Sequence, residues 1–468
     1  MSATISTSPA LPKPGLTLTV ITLSYLMLVM DLSIAVTALP LIKSDLGFSD
    51  ASLAWIQNAY TLIFGGFLML GARLGDLHGR RRMFQIGLIS FAAASLFVGF
   101  AGSAEILILG RILQGLAAAI LAPSTLALLS TSFPVEPARG KALAVYGSIT
   151  GSGTTLGLVL GGFIAGTIGW RWAFLINVPL GLVLVLLAKR SLPETEKHTG
   201  RIDIWGAVTS TLGMGGVVYG LINSAEHGWN NAVTLFTLFG GLAVLGLFIW
   251  IESKVANPLV PLRLFRNAQR NGANGARALF VGSMAGFWFF GSQFLQNARG
   301  LTPFETGLAF LPMTLASFAI AFFVPRLSRR FGNAPFLAGG LATVMVGTFL
   351  LGNATASSNY TVFLALPLML IGVGQGASTI RLTSAGIANV DPKDSGAASG
   401  IVSVAVQLGS ALGLSILVAA ASAFSPKTGT PAALSQAHLF TGLHWGSGLI
   451  LLALLSVVIW VLPKSRNK

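Results

Sequence analysis

The sequence contains no cysteine. That removes disulfides, thiolate nucleophiles and cysteine-ligated metals. Histidine is scarce: His78, His198, His227, His438 and His444 are the full set, and all lie near the ends of apolar runs or between them. No pair has metal-ligand spacing at helix depth, so no metal site is expected. Charged residues make up only 9% of the chain. The longest segment between apolar runs is about two dozen residues, and no set of acids or histidines gathers at one membrane face, which argues against a polytopic enzyme.

What fills the chain instead is apolar surface. Hydrophobic residues account for 53% of 468, and the mean hydropathy is +0.78. Runs of about 20 residues recur from end to end, each long enough to cross a hydrocarbon core of about 30 Å. The 56 glycines suit helices that approach closely in a membrane. The first run, of about 23 residues, is longer than the 7–15 apolar residues of a secretory leader, so it reads as a retained span.

Periodicity and length place spans at about 17–39, 53–72, 84–102, 106–129, 142–166, 171–189, 204–223, 232–252, 277–298, 305–325, 335–353, 361–385, 396–423 and 441–462, roughly fourteen in all. The formal charge of +15 is a topology signal rather than a nucleic-acid face. With the N-terminus inside, the basic residues gather in the cytoplasmic loops, for example Arg73 and Arg80–Arg82, Lys189–Arg201, Lys254–Arg277 and Arg326–Arg330. Only Lys43, Arg171, Arg299 and Lys427 fall outside, and Arg111 and Arg381 stay within spans. This sorting predicts both termini in the cytoplasm.

The chain also echoes itself. RLGDLHGR (73–80) is matched by RLSRRFG (326–332), and QGLAAA (114–119) by QGAST (375–379). Each copy continues into a Pro-containing loop, VEPARGKA (135–142) or VDPKDSGAA (390–398), and a Gly-rich span. The expected fold is an all-α membrane protein of two pseudo-symmetric six-helix bundles, 1–190 and 261–468, with an inserted helix pair, 191–260. Such repeats build secondary transporters, with the substrate site between the halves.

Within MDLSIAVTALP (30–40), Asp31 is the one acid of fourteen that falls well inside a span. An ionisable group there is costly, by about 2.5–3.5 kcal/mol, and normally meets a cavity or a partner. Arg111 lies at a similar estimated depth in the fourth span. Desolvation favours a neutral carboxyl and a nearby arginine favours the carboxylate, so the pair could switch protonation with conformation; a fixed structural ion pair is the alternative. Gly153, Gly157 and Gly161 recur at i, i+4 on one face of the fifth span, which predicts close packing against a span of the other half, or gating. Trp55, Asn58, Tyr60, Phe287, Trp288, Phe294 and Gln296 could line an aromatic pocket. Arg381 either snorkels to the interface or offers its charge to substrate. The basic, Pro-broken segment 253–277 reads as lying on the inner leaflet.

These strings resemble the major facilitator superfamily, and within it the fourteen-span drug–proton antiporter branch, over nearly the whole chain. GARLGDLHGRRRMF (71–84) is similar to the cytoplasmic gating motif, with Gly75, Asp76, Gly79, Arg80 and Arg81 at its matching positions. GRILQG (110–115) resembles the fourth-span motif with Arg111, Gln114 and Gly115, and GSGTTLGLVLGG (151–162) the antiporter motif with Gly153, Gly157, Gly161 and Gly162, though Leu158 stands where that motif has proline. WRWAFLINVPLG (170–181) and QNARGLTPFETGLAFLPM (296–313) also look like the branch. The resemblance implies a monomeric exporter of small, mainly hydrophobic compounds in the inner membrane, driven by the proton gradient without a cofactor. It implies proton coupling through Asp31 and Arg111, and a latch between the halves at Asp76, expected at the N-terminus of the third span. Proton-coupled uptake, metabolite export and a non-transporting sensor are the alternatives.

Overall fold

The computed structural model describes residues 14–133, 135, 138–194, 203–255, 258–388, 390, 395–426 and 428–465. Lys13, Glu136, Glu196, Lys197, His198, Arg201, Asp391, Lys393, Asp394, Lys427, Arg466 and Lys468, all weighed in the sequence, lie outside them. Helices are α1 (Pro14–Leu46), α2 (Ser52–His78), α3 (Arg80–Gly99), α4 (Ala104–Ser132), α5 (Ala138–Thr167), α6 (Trp170–Ser191), α7 (Ile204–His227), α8 (Ala232–Lys254) and α9 (Ala268–Ala298). They continue as α10 (Pro303–Ala309 running on into Leu311–Phe331), α11 (Asn333–Gly352), α12 (Thr361–Gly386), α13 (Ser395–Phe424) and α14 (Pro431–Val461). Thirteen are long and apolar enough to cross a membrane, and α5, 30 residues long and hence about 45 Å, makes the fourteenth. No strand occurs among the described residues. This is an integral membrane protein.

Local chemistry sets the ends. Asn231 and Thr430 cap α8 and α14 by accepting from the first free backbone N–H groups, and Thr302 with Glu305 forms a reciprocal capping box at α10. The α2–α3 and α10–α11 reversals turn on Gly79 and Gly332, at φ +96° and +83°. A side chain is disfavoured there, which is why both copies of the RL-containing string have glycine at the reversal.

The two copies pack alike. In the first group the close pairs are α1–α5, α2–α4, α3–α4, α3–α6, α1–α6 and α1–α4; in the second they are α9–α13, α10–α12, α11–α12, α11–α14, α9–α14 and α9–α12. The second set is the first with eight added to every number. Matching contacts recur at atomic scale. A Cβ on Gly71 of α2 would overlap the Ala119 carbonyl of α4, and one on Gly372 of α12 would overlap the Met313 carbonyl of α10. Between groups the main contacts are α2–α13 and α5–α10, again related by the repeat. The extra pair is added to one of these seams: α7 packs on α2 and α13, while α8 packs on α7 and has only 11% of its most apolar stretch buried.

While Met69 of α2 meets Gly400 of α13 toward the other face, the side-chain hydrogen bonds between the groups lie toward the face that carries the α1–α2 turn at Gly47. There Ser292 donates to the Val36 carbonyl at 2.8 Å, Gln296 to the Thr37 carbonyl at 3.1 Å, and Asn58 to Ser415 at 2.9 Å. Gly162 abuts the Pro303 carbonyl, and Gly307 sits against the backbone of Leu158 and Val159. The position occupied by leucine instead of proline is thus a tight helix–helix contact, with Leu158 1% exposed.

Three sequence expectations change. The first span is longer at both ends than 17–39. The glycine stripe of α5 faces its own half: Cβ atoms on Gly153, Gly157 and Gly161 would meet Leu26 at 2.9 Å, Met30 Cα at 3.0 Å and Ile34 Cα at 2.8 Å, all on α1. Of the motif glycines only Gly162 meets the other half. Finally, the segment 253–277 is not wholly an interfacial strap. Its second part is already α9, which begins at Ala268 because Asn267 caps it, and Arg270, Gly272, Ala273, Asn274 and Ala276 are buried. Only the stretch to Asn267 is linker; its short helix Leu262–Arg266 is held by Arg270, and Val260 N–H donates to Glu252. Arg277 therefore belongs to a span, not to a loop.

Because both glycine contacts are against backbone, which cannot yield as a side-chain tip does, Gly71→Ala and Gly372→Ala are each expected to destabilise the protein by about 1–3 kcal/mol. Gly448→Ala, with nothing within 4 Å, should leave stability unchanged. Intrinsic tryptophan fluorescence on thermal unfolding in detergent checks all three.

Candidate functional site

At mid-depth of the first six helices lies a closed polar cluster. Asp31 on α1 and Arg111 on α4 are both 0% exposed, with Arg111 Nη1 2.6 Å from Asp31 Oδ2. The other carboxylate oxygen, Oδ1, accepts from Gln114 Nε2 and Asn177 Nδ2, each at 3.0 Å. Both amides also donate to Ser95 Oγ, at 2.8 and 3.4 Å. Arg111 donates from Nε to the Ile56 carbonyl at 2.9 Å and from Nη1 to Gln114 Oε1 at 2.7 Å. Its guanidinium lies 4.6 Å from the Tyr60 ring centre and 5.6 Å from that of Phe174. Helices α1, α2, α3, α4 and α6 all contribute.

The cluster is neutral as a whole, which is what a low-dielectric interior demands of it. The helices come close enough because Gly115, one turn from Arg111, lets α4 approach α2 until a Cβ there would lie 2.7 Å from the Tyr60 carbonyl. Two polar groups in the cluster are buried without a partner, Arg111 Nη2 and the Tyr60 hydroxyl.

Sequence reasoning did not find Asn177 or Ser95. Asn177 lies in WRWAFLINVPLG, singled out as a string but not for that side chain, whereas nothing local marks Ser95. Gln114 was placed in the fourth-span motif but not as a direct donor to Asp31.

The gating string is laid out differently from the expectation. Asp76 is in the last turns of α2, not at the start of α3, because α2 runs on to His78. Its carboxylate accepts from Arg80, Nη2 at 2.9 Å and Nε at 3.2 Å, within the same half. The carboxylate at the N-terminus of α3 is that of Glu194: it accepts from the Arg81 backbone N–H at 3.2 Å and lies 3.6 Å from the Arg81 side chain. There it also complements the helix dipole. Gly75 and Gly79 complete the turn; a Cβ on Gly79 would meet Glu194.

The proposed pocket residues do not converge. Asn58, Tyr60, Phe287 and Phe294 are at most 1% exposed and are spent on packing and on the seam between halves. Trp55 lies 6.0 Å from the Tyr219 ring of α7, and Phe287 and Trp288 meet Phe310 edge-on at 5.7 and 4.9 Å. Gln296 is used in the α9–α1 bond. Packed helices have apolar area to bury, and aromatics bury the most per residue. Arg381 does not reach out to the interface: Nη2 donates to Ser328 of α10 at 2.5 Å, and its Nε is buried without a partner.

Removing one charge of the buried pair strands the other. Asp31→Asn is expected to destabilise the protein by about 3–5 kcal/mol. The double change Asp31→Asn with Arg111→Gln should cost clearly less than the sum of the single ones, as thermal unfolding of the four proteins would report.

The chain matches the family model of the Major Facilitator Superfamily over residues 21–414 and 275–467. It is 35% identical to the cephamycin export protein of Amycolatopsis lactamdurans over 94% of this chain and 90% of that one. It is equally 35% identical to the puromycin resistance protein of Streptomyces alboniger, over 98% and 93%, and 31% identical to the lincomycin resistance protein of Streptomyces lincolnensis, over 96% and 92%. Among solved structures, a bacterial homologue of the human lysosomal transporter Spinster shares the fold with a TM-score of 0.67 at 16% identity, covering 98% of both chains. An autoinhibited peptide transporter of the POT family aligns with a TM-score of 0.69 at 14% identity, over 95% of this chain and 96% of that one. The polar cluster thus sits inside a transporter fold, and this chain belongs to the Major Facilitator Superfamily.

Proposed function

We propose that the protein is a proton-coupled exporter of small, mainly hydrophobic compounds or drugs, working by alternating access. The observation that carries this reading is the neutral, fully buried cluster around Asp31. A single carboxylate held by Arg111, Gln114 and Asn177 is stable only while all three donors stay in place. Protonation removes the reason for Arg111 to stay. Because the donors come from α4 and α6, a proton on Asp31 loosens α1 from both. The relatives are named for antibiotic export and resistance, which supports export over uptake.

In this reading the two halves are α1–α6 and α9–α14, with α7 and α8 as the inserted pair. The Gly47 face is the outer one, and both termini lie in the cytoplasm of a cell whose cytoplasmic membrane holds the protein as a monomer. The hydrogen bonds between the halves gather toward the outer end, while Met69 of α2 still meets Gly400 of α13 nearer the inner face, and we read the described state as one that opens inward. Asp76 then engages Arg80 of its own half because the cytoplasmic latch to the other half is released. No cofactor takes part; the proton gradient supplies the energy.

Two experiments test the reading. In everted membrane vesicles, proton-driven substrate uptake should be lost in Asp31→Asn while downhill substrate exchange persists; intact proton-driven uptake in that variant would remove Asp31 from coupling. The second uses the absence of native cysteine. A Cβ on Gly166 would lie 3.8 Å from that of Pro303, the separation of a disulfide. Gly166→Cys with Pro303→Cys should cross-link the outer end on oxidation and stop transport, and a reductant should restore it. Full activity in the cross-linked form would refute opening at that end.

A further inference from the structure

Two arginines of the second half, Arg277 and Arg381, lie at least a turn inside their helices with no acid beside them among the described residues. Arg277 lies nine residues into α9, about 14 Å along it, and Arg381 five residues before the end of α12, about 8 Å. Arg277 Nη1 donates to the Thr379 carbonyl at 3.0 Å and to Thr383 Oγ1 at 2.6 Å, both on α12. Its Nε is buried without a partner, as is that of Arg381. The ion pairs among the described residues are Lys43–Asp50, Arg80–Asp76, Arg81–Glu194, Arg111–Asp31 and Arg171–Asp45, and neither arginine is in them. From Ala268 onward the chain has only three acids. Glu305 is committed to the α10 cap at the opposite face, and Asp391 and Asp394 lie outside the described residues.

Arg277 also lies near the other half. It is within electrostatic reach of Tyr25 on α1. The Tyr25 ring stacks on that of Tyr146 on α5, 4.3 Å between centres, and the Tyr146 hydroxyl is 2.9 Å from Thr125 Oγ1 on α4. One ring of a stacked phenol pair on the first half thus lies within electrostatic reach of Arg277.

A bare charge at that depth is expensive, and such residues face a partner or a pathway. Bonding α9 to α12 through a carbonyl and a hydroxyl needs only an amide; it does not need a cation. Guanidinium is the group that matches carboxylate, sulfonate or phosphate, and the paired phenols suit an aromatic body. We propose that Arg277, assisted by Arg381, is the anion-recognising part of the substrate site, and that the compounds carried include amphipathic aryl monoanions. The proposal rests on the export reading and adds to it a substrate class. It also separates the tasks of the halves: the first holds the proton in a neutral cluster, and the second holds the substrate's charge.

The test is binding without any gradient. Full-length protein in zwitterionic phosphatidylcholine nanodiscs is titrated with dansylglycine and, separately, with its methyl ester, reading energy transfer from tryptophan to the dansyl group. The acid should bind at least about tenfold tighter than the ester, the equivalent of one charge-assisted hydrogen bond. Arg277→Gln should remove that preference while leaving the ester's affinity in place, which also shows the variant is folded; Arg277→Lys should keep part of it, and Arg381→Gln should weaken it less. Equal binding of acid and ester to the native protein, no binding of the acid, or an unchanged preference in Arg277→Gln would each make the arginines structural and overturn the proposal. Repeating the titration with phosphatidylglycerol in the disc identifies the source of the anion. Loss of dansylglycine binding there, in the native protein, assigns the site to a lipid phosphate; retention assigns it to the small molecule. Because no proton gradient is present, failure here leaves the Asp31 assignment standing, and failure of Asp31→Asn in vesicles leaves anion binding standing.

Discussion

A carboxylate and a guanidinium, each sealed from water inside a membrane protein, must find each other and must have their remaining hydrogen-bonding capacity filled. The Asp31–Arg111 pair is that constraint here, and the first six helices are arranged around it. Asp31 needs donors from α4 and α6, which fixes where those helices cross α1. Arg111 needs the Ile56 carbonyl, which fixes α2 against α4, and Gly115 and Gly71 remove the side chains that would hold them apart. Ser95 of α3 takes the spare amide hydrogens. A cluster so closed holds five helices in one mutual arrangement.

The repeat supplies the rest of the machine, and its departures from symmetry are informative. Pairings, glycine contacts and turn glycines recur with the order α1–α6 carried onto α9–α14. The charges do not. The first half closes its arginine with an acid, while the second carries Arg277 and Arg381 with none, and in the gating string Arg329 of the second copy stands where Asp76 stands in the first. Glycine also does two jobs in one helix. Gly153, Gly157 and Gly161 bind α5 firmly to α1, while Gly162, on another side, meets α10 across the seam. A helix that is rigid within its half and smooth toward the other is suited to rocking as part of a body.

Much of this was legible in the residues. Fourteen apolar runs, the placement of arginines and the solitary depth of Asp31 are properties of composition and spacing, because lipid punishes charge wherever a helix meets it. Helix ends were less legible. Asn267 caps α9 well before the apolar run begins, so Arg270 and Arg277 look like loop residues until the cap is seen. Asp76 likewise belongs to α2 because polar sequence can stay helical past the apolar run. The aromatic residues named for a pocket show why side-chain type alone does not locate a cavity: the same rings pack helices within one half, Phe287 and Trp288 on Phe310 and Tyr60 on Arg111.

The sequence by itself determined that the chain spans the membrane many times, that it is built of two copies, and that one buried acid would need a basic partner. Those follow from free energies of single residues and short segments in lipid. Only the tertiary structure decided that Asn177 and Ser95 complete the Asp31 site, that the α5 glycines serve α1 rather than the other half, and that Arg277 bonds to Thr379 and Thr383 of α12 without a counter-ion. Each of these depends on which helices touch and at what rotation, and contact between residues far apart in the chain leaves no trace in local spacing.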